Sequence, residues 1–416
     1  MAIYTKEEAL EYIEENDVRF IRLAFSDLFG NHKNISIQPD MLEEAFDEGI
    51  GFDAFRVSGY DDPVLRDLFL VPDPRTLSIL PWRPQSGGVV RFYCDVVDQN
   101  GNPFPYDSRT FLRSAIKKCK KLGFNCRVGL RSEFYLFRND EEGRPTREPM
   151  DQGSYFDVAP LDAAENIRRE ICLSLADMGV GPKSSHHEAG PGQNEIDFKS
   201  ANALDSADHF MTYKNVVSTM AARNGLSASF EPKPLEGKPG NGLHLRMALY
   251  SAAENLTEDR PEIVRSFMAG IYNRMRDITV FLNTQKDSYL RFGENEAPKY
   301  ITWSYENQSR LFRVPMVHGK QEGFILRSPD SMMNPYLAFA MVIEAGLMGV
   351  ENKEELPQPL EAVAEHEVEN GKRYDKLPLS LAEAIDCARS SEFLNGDEDR
   401  RRIATHFLDL IEKDVL

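Results

Sequence analysis

The sequence predicts an α+β protein of two domains, a small strand-rich unit followed by a larger one in which strands alternate with helices. Three observations carry this expectation. The chain has 416 residues, 41% of them hydrophobic, enough to fill two cores. Over the first hundred residues, runs with the period of strands are punctuated by turn residues. From Ser108 the pattern changes to helical stretches separated by strands, and no repeat, low-complexity tract or flexible linker interrupts it.

Taken in order, the opening segment to Asn16 is charged and helix-patterned, without the apolar stretch and small-residue cleavage site of a secretory signal. Residues 18–29 and 34–38 alternate as two strands of a hairpin turned at Phe29-Gly30-Asn31. Residues 39–47 read as a helix opened by a proline, and 76–80 and 89–97 as further strands before the turn Asn100-Gly101-Asn102-Pro103. Asp107 and Ser108 offer an N-cap for a helix over 109–122. Beyond it, strands are expected at 126–137, 193–198, 244–250, 310–315 and 323–328, and helices at 162–178, 206–224, 260–276 and 335–348. Pro232, Pro234, Gly237, Pro239, Gly240 and Gly242 crowd one stretch that must be an irregular loop, a common carrier of ligand contacts.

Composition narrows the function. Acidic side chains outnumber basic ones by 67 to 49, a net charge of -18 spread along the chain, which argues against a nucleic-acid partner. The longest apolar stretch, 338–350, is too short for a bilayer and fits a core helix, so a cytoplasmic protein without a membrane partner is expected. Five scattered cysteines with no CxxC spacing speak against a disulfide framework and against thiolate zinc.

Three acids stand out. Strand alternation puts Glu133 and Arg131 on one face, and Glu188 and Glu195 bracket a glycine-rich turn able to fold two carboxylates toward one point. Carboxylates converging from two segments suit a hard cation, Mg²⁺ or Mn²⁺. Taken singly, each acid reads as an ordinary solvated strand-edge residue. His186, His187 and His244 are weaker candidates, because adjacent strand histidines face opposite ways. Arg291, Arg313 and Arg327 lie near glycine and proline turns, where guanidinium groups match carboxylates or phosphates, although surface salt bridges use the same residues.

The order of these signals resembles glutamine synthetase from end to end. Glu133-Phe-Tyr-Leu-Phe is similar to the family's G-x-E-x-E-F-x-x-F strand, and His187-Glu188 through Gly192-Gln193-Asn194-Glu195 to its H-E-x(4-6)-G-Q-x-E motif. Pro232-Lys-Pro, Gly240-Asn-Gly-Leu-His244, Ser288-Tyr-Leu-Arg291, Glu296-Ala-Pro and Arg327-Ser-Pro-Asp-x(3)-Asn334-Pro-Tyr-Leu follow in the family's order. The resemblance implies an N-terminal β-grasp domain (1–105) and a C-terminal antiparallel-sheet catalytic-type domain (106–416). It also implies a homo-oligomer of stacked hexameric rings, a dodecamer, acting on a glutamate-like small molecule. Family members join glutamate to ammonia with ATP, through γ-glutamyl phosphate, in a funnel holding two divalent cations.

By motif matching, Glu133, Glu188 and Glu195 fall on the ligands of the glutamate-side cation. Arg291 and Arg327 fall on arginines holding glutamate, Gly240 on the substrate loop, Glu296 on the flap acid that helps bind ammonium, and Arg313 on an arginine near the transferred phosphate. Asp53 matches an aspartate that completes a neighbouring subunit's ammonium site. Arg373-Tyr374-Asp375 stands where some members carry a regulatory tyrosine.

The departures fall mostly on the nucleotide side. Of the second cation's ligands only His244 remains, the other two positions being Arg131 and Ile325. Gln308, Arg246 and Ala248 replace nucleotide-lining residues, Pro239 replaces a substrate-loop asparagine, and Arg56 replaces a serine. A histidine beside a guanidinium and an isoleucine cannot hold Mg²⁺, which needs near-octahedral oxygen ligation. Phosphoryl transfer relies on positioning and on cations that neutralise phosphate charge, so the substitutions argue for one bound metal, against ordinary use of ATP, and for lost or altered ligase activity. The alternative is an active glutamine synthetase or γ-glutamyl-amine ligase in which Arg131 and Arg246 stand in for the second cation.

Overall fold

The computed structural model describes residues 4–60, 67–83, 87–252, 254–362 and 364–415. In the N-terminal part, the strand Val18–Ser26 pairs antiparallel with His32–Ile37 and parallel with Gly88–Val97. Asp67–Pro72 and then Ile50–Asp53 extend the sheet beyond Gly88–Val97. The first turn is shaped by Asp27, whose Oδ1 accepts from the backbone N–H of Phe29 (3.0 Å) and Asn31 (2.9 Å). Gly30 has φ +82° there, and a Cβ would lie 2.7 Å from the Cα of Asn334, so both conformation and space require glycine. The helix Lys6–Glu15, opened by a Thr5/Glu8 capping box, buries Ala9 and Ile13 in one core with Ile21, Leu23, Leu70 and Phe92.

Expectation and structure differ at the small elements. The helix expected at 39–47 is a 3₁₀ turn, Pro39–Met41, leading into an α-helix, Leu42–Asp47. The strand expected at 76–80 shrinks to Ser78–Ile79, because Asp73 caps a 3₁₀ turn at Pro74–Thr76. Ile50–Asp53 and Asp67–Pro72 are additional strands, the first too short and glycine-interrupted to show an alternation.

The large sheet is organised on one strand, Asn125–Asn139. Leu243–Ser251 flanks it on one side, followed by Phe324–Leu326, Phe312–Arg313 and Trp303–Ser304; Gln193–Phe198 and Pro182–His187 lie on the other. All these pairings are antiparallel except Trp303–Ser304 with Phe312–Arg313. Helices supply the rest of the core. Pro335–Asn352 is nearly all buried, and its N-cap Asn334 accepts from the N–H groups of Tyr336 and Leu337. It packs on Pro261–Asn273 through facing glycines: a Cβ on Gly349 would come within 2.5 Å of the Cα of Gly270. The helix expected over 260–276 ends at Asn273 and resumes as Met275–Leu282. Among the described residues, no helix is long and apolar enough to cross a membrane.

A buried charge cluster ties the two parts together. Arg109, 2% exposed, donates from Nη1 to Asp95 (2.6 Å), from Nη2 to Asp73 (3.1 Å) and Asp208 (2.9 Å), and from Nε to Asp208 (3.1 Å). Asp73 and Asp95 belong to the N-terminal sheet region, while Asp208 sits on the helix Ala203–Arg223 of the large domain. Asn334 adds a neutral bond across the same seam, from Nδ2 to the carbonyl of Leu28 (3.0 Å), and the same nitrogen reaches the hydroxyl of Ser108 (2.9 Å) within the large domain.

Replacing Arg109 with leucine leaves the buried Asp208 without its cation, while Asp73 and Asp95 keep Arg75 and Arg113, and is expected to cost about 3–5 kcal/mol of unfolding free energy. Arg113→Leu, at a half-exposed neighbour, is expected to cost about 1 kcal/mol or less. Urea titrations of both variants check the contrast.

Candidate active site

Residues paired directly across neighbouring strands share a sheet face. Register therefore lays the predicted site out in rows. Glu195 stands opposite Glu133; one step along, Asp197 stands opposite Arg131 and Arg131 opposite His244; the next row holds Gly129, Arg246, Ile325 and Arg313. A tight turn brings in Glu188, because its N–H donates to the carbonyl of Gln193 (2.8 Å) and that of Gln193 to Gly190 (3.0 Å).

Glu188 and Glu195 both approach His186, whose Nε2 lies 3.0 Å from Oε1 of Glu188 and 3.4 Å from Oε1 of Glu195. One ligand atom from each of the three falls within 4.8 Å of the others, the spacing of a metal-binding group. His187 faces away, as alternation requires: its Nε2 meets Asp151 Oδ1 (2.9 Å) and its Nδ1 the carbonyl of Glu188 (2.6 Å). Glu133 completes the acidic cluster, its Oε2 accepting from Gly242 N–H (2.8 Å).

The arrangement has an electrostatic cost that shows in the titration of its members. Burial, reinforced by Glu188 and Glu195, pushes the Glu133 carboxyl up to about 8. Burial also raises Glu195, partly offset by Arg131. Burial, together with Arg327, Arg131 and Arg291, drives His244 well below its ordinary value, so its imidazole is neutral.

The donor group of His186, Glu188 and Glu195 fits one divalent cation, which would relieve the mutual repulsion of these acids and the neighbouring Glu133. The second position does not fit. Arg131 donates from Nε to Oε1 of Glu195 at 2.5 Å, placing a guanidinium beside His244, and Ile325 contributes no ligand.

A cavity of about 480 Å³ opens over this part of the sheet. Of the predicted residues, Arg131, Glu133, Glu188, Glu195 and His244 line its sheet wall, and Pro239, Gly240, Arg291, Glu296, Gln308 and Arg327 its loop wall. Gly240 lets the proline-rich loop lie on Arg291, where a Cβ would meet Cγ at 2.8 Å, and Tyr135 Oη fixes the loop by donating to the carbonyl of Pro239 (2.7 Å). Arg291 is buried and donates from Nη2 to the carbonyl of Ser328 (2.6 Å) and to Oδ1 of Asn283 (3.2 Å). Nη2 of Arg327 lies 3.6 Å from Oε2 of Glu296. Glu296 follows Asn295, and both hold positive φ (67° and 45°), a strained mouth for the cavity.

Other predicted residues stand apart. Arg246, Ala248, Ile325 and Arg313 share the sheet face but do not line the cavity. Asp53 and Arg56 lie in the N-terminal part, Asp53 accepting at Oδ1 from Phe55 N–H (3.1 Å), outside the cavity of their own chain. Tyr374 packs by the small cluster of Tyr300, Leu360 and Ala364. Sequence reasoning did not single out Tyr155, Lys233 or Gln193 as cavity-lining residues, although Lys233 and Gln193 stood inside quoted motifs; Tyr155 lay in a stretch with no periodic signal.

Fold and cavity together define a two-domain α+β protein with a cluster of acids and a cluster of arginines facing one cleft. Residues 17–99 match the family description "Glutamine synthetase, beta-Grasp domain" and residues 105–413 "Glutamine synthetase, catalytic domain". The chain is 42% identical to a glutamine synthetase of Methanosarcina mazei over 401 residues, 94% of this chain and 90% of the relative. It is 40% identical to one of Clostridium saccharobutylicum over 404 residues, 94% and 91% of the two chains. Among solved structures, GmaS in complex with ADP superposes with a TM-score of 0.88 at 28% identity, covering 98% of this chain and 95% of that one. Plasmodium falciparum glutamine synthetase has the same fold, with a TM-score of 0.87 at 21% identity over 100% and 96% of the chains. The chain belongs to the glutamine synthetase family.

The raised Glu133 carboxyl gives a pH signature. Between its ordinary pH range and about 8 the folded chain keeps a proton that the unfolded chain releases, so metal-free stability falls as pH rises through that window. Thermal melts should show this decline, a Mn²⁺-induced rise in Tm that is larger at pH 8 than at pH 6, and loss of most of both effects in Glu133→Gln.

Proposed function

We propose that the protein binds a glutamate-like amino acid beside a single Mg²⁺ or Mn²⁺, with ATP-driven ligation lost or altered relative to its family. The observation that carries this reading is the ion pair of Arg131 with Glu195 at 2.5 Å, a fixed monocation where family resemblance calls for a carboxylate ligand. With Ile325 as the companion substitution, neither of these two positions offers an oxygen ligand to a cation at the nucleotide phosphates, and several kcal/mol of transition-state stabilisation go with it.

The glutamate side is intact in this reading. Glu133, Glu188, Glu195 and His186 hold the cation, which when bound polarises the substrate carboxylate. Arg291 and Arg327 take the carboxylates of the amino acid, the Gly240 loop covers it, Glu296 faces the amine, and Arg313 lies toward any transferred phosphate. Asp53 acts in a neighbour's cleft, a reading supported by its standing outside the lining of its own chain's cavity; this requires the ring assembly, stacked hexamers forming a dodecamer, built from domains 1–105 and 106–416.

One observation favours a second reading, an active ligase with Arg131 and Arg246 replacing the second cation. Asp197 stands opposite Arg131, which Glu195 holds, and lies 4.0 Å from Nη2 of Arg246, so two guanidiniums share one sheet face where a phosphate would take bidentate contacts.

Biosynthetic and γ-glutamyl transferase assays with Mg²⁺ and Mn²⁺ separate the outcomes. The first reading expects turnover far below that of an ordinary family enzyme, and at least about a tenfold gain in Arg131→Glu/Ile325→Glu, which restores two acids. Ordinary turnover by the unmodified protein ends it. The second reading expects Arg131→Met to abolish ATP-dependent turnover, and no binding of a non-hydrolysable ATP analogue at millimolar concentration excludes it.

A further inference from the structure

At the seam between the domains lies a second cavity, about 660 Å³ against about 480 Å³ for the catalytic one. The two share no lining residue. Five cationic side chains line it, Arg75, Arg91, Arg113, Lys117 and Lys120, against the acids Asp205 and Asp208. In a chain of net charge -18, such a concentration runs against the average of the molecule.

The cations come from different elements. Arg75 belongs to the 3₁₀ turn Pro74–Thr76 and Arg91 to the strand Gly88–Val97. Arg113, Lys117 and Lys120 recur along the helix Ser108–Lys121 at the spacing that shares one face. Part of this charge is already balanced. Arg75 is held by Asp73 (Nη2 to Oδ2, 2.6 Å) and Arg113 by Asp95 (2.8 Å). Asp208 is occupied by Arg109 and by the hydroxyl of Tyr336 (2.7 Å).

Arg91 is different. It is 4% exposed, and its Nη1 donates only to neutral oxygens, Tyr93 Oη (3.0 Å) and Thr212 Oγ1 (2.7 Å), with the guanidinium carbon 4.0 Å over the Tyr93 ring. Among the described residues, no carboxylate lies within ion-pair distance of Arg91, Lys117 or Lys120. A buried guanidinium without a counter-ion is costly to keep. Three cations without partners exceed what one carboxylate would neutralise, whereas a phosphate group brings close to two charges and three acceptor oxygens.

We propose that this interdomain cavity binds a small phosphorylated anion, with Arg91, whose buried Nε has no hydrogen-bond partner among the described residues, as its deep contact and Lys117 and Lys120 as its rim. The site lies at both ends of the catalytic scaffold's supports. Asn125 and Cys126 line it at the start of the strand that carries Glu133, and Tyr213, next to Thr212, donates to the carbonyl of Ser132 (3.3 Å).

Isothermal titration of the full chain with inorganic pyrophosphate, without divalent cations, tests this. The unmodified protein is expected to bind, and Lys117→Glu/Lys120→Glu to bind about tenfold or more weakly with an unchanged ligand-free Tm. Arg327→Gln, in the catalytic cavity, is expected to bind as before. Should the charge reversal unfold the chain, Lys117→Gln/Lys120→Gln serves in its place with the same expectation. No binding by the unmodified protein, equal binding by the lysine variants, or loss of binding in Arg327→Gln overturns the proposal, and so does tighter binding of citrate than of pyrophosphate. Because neither nucleotide nor turnover enters, the result is independent of whether the catalytic cleft is active.

Discussion

The register of one strand governs the molecule. Along Asn125–Asn139, Cys126, Val128, Leu130, Phe134 and Leu136 enter the main core, while Arg131 and Glu133 face the cleft. The partner strand repeats the arrangement, with Leu243, Leu245, Met247 and Leu249 in the core and His244 on the opposite face. Side chains alternate with a period of two, so a slip of one residue would send every charge into the core and every leucine into the cleft. Burial of the apolar set thus fixes the position of the charged set, and no separate force is needed to bring Glu133, Glu195 and Arg131 together.

Within that frame the acids and Arg131 compete. Three carboxylates close together repel strongly at low effective dielectric, and Glu133 answers by holding its proton up to about pH 8. Arg131 relieves part of the strain by pairing with Glu195, one of the very groups a cation would use. A metal ion held here, as proposed, would have to displace a proton from Glu133 and share Glu195 with a guanidinium. Both demands weaken its binding relative to a site of free carboxylates, and the first makes that binding pH-dependent.

The order of the large elements was legible because period and punctuation agreed. The Asp107 cap, the strand around Glu133 and the buried helix after Asn334 all sit where expected. Short strands escaped, since Ile50–Asp53 and Trp303–Ser304 depend on sheet partners distant in sequence and have too few residues to show an alternation. In the site, acids on long strands were readable from alternation, and the opposite orientations of His186 and His187 followed from the same rule. The role of His186 beside Glu188 and Glu195 was not readable, because it rests on the tightness of the turn at 188–193. Nor was the buried Arg109 cluster, whose partners come from three separate segments.

The altered positions acquire meaning from adjacency rather than from number. Arg131, Arg246 and Ile325, with the matching Arg313 between them, spread from residue 131 to residue 325 of the sequence, yet register sets Arg246, Ile325 and Arg313 in a single row and Arg131 in the row beside it. The acids of the neighbouring row are all retained. A sheet converts distant substitutions into one contiguous patch, and a patch that trades carboxylates for guanidinium and hydrocarbon changes sign as a unit. Charge of the new sign still has a use, since tethered guanidiniums attract anions where carboxylates would hold a cation. What the cleft binds on that side is therefore decided by the net field of a whole row, and single substitutions within it will not be additive.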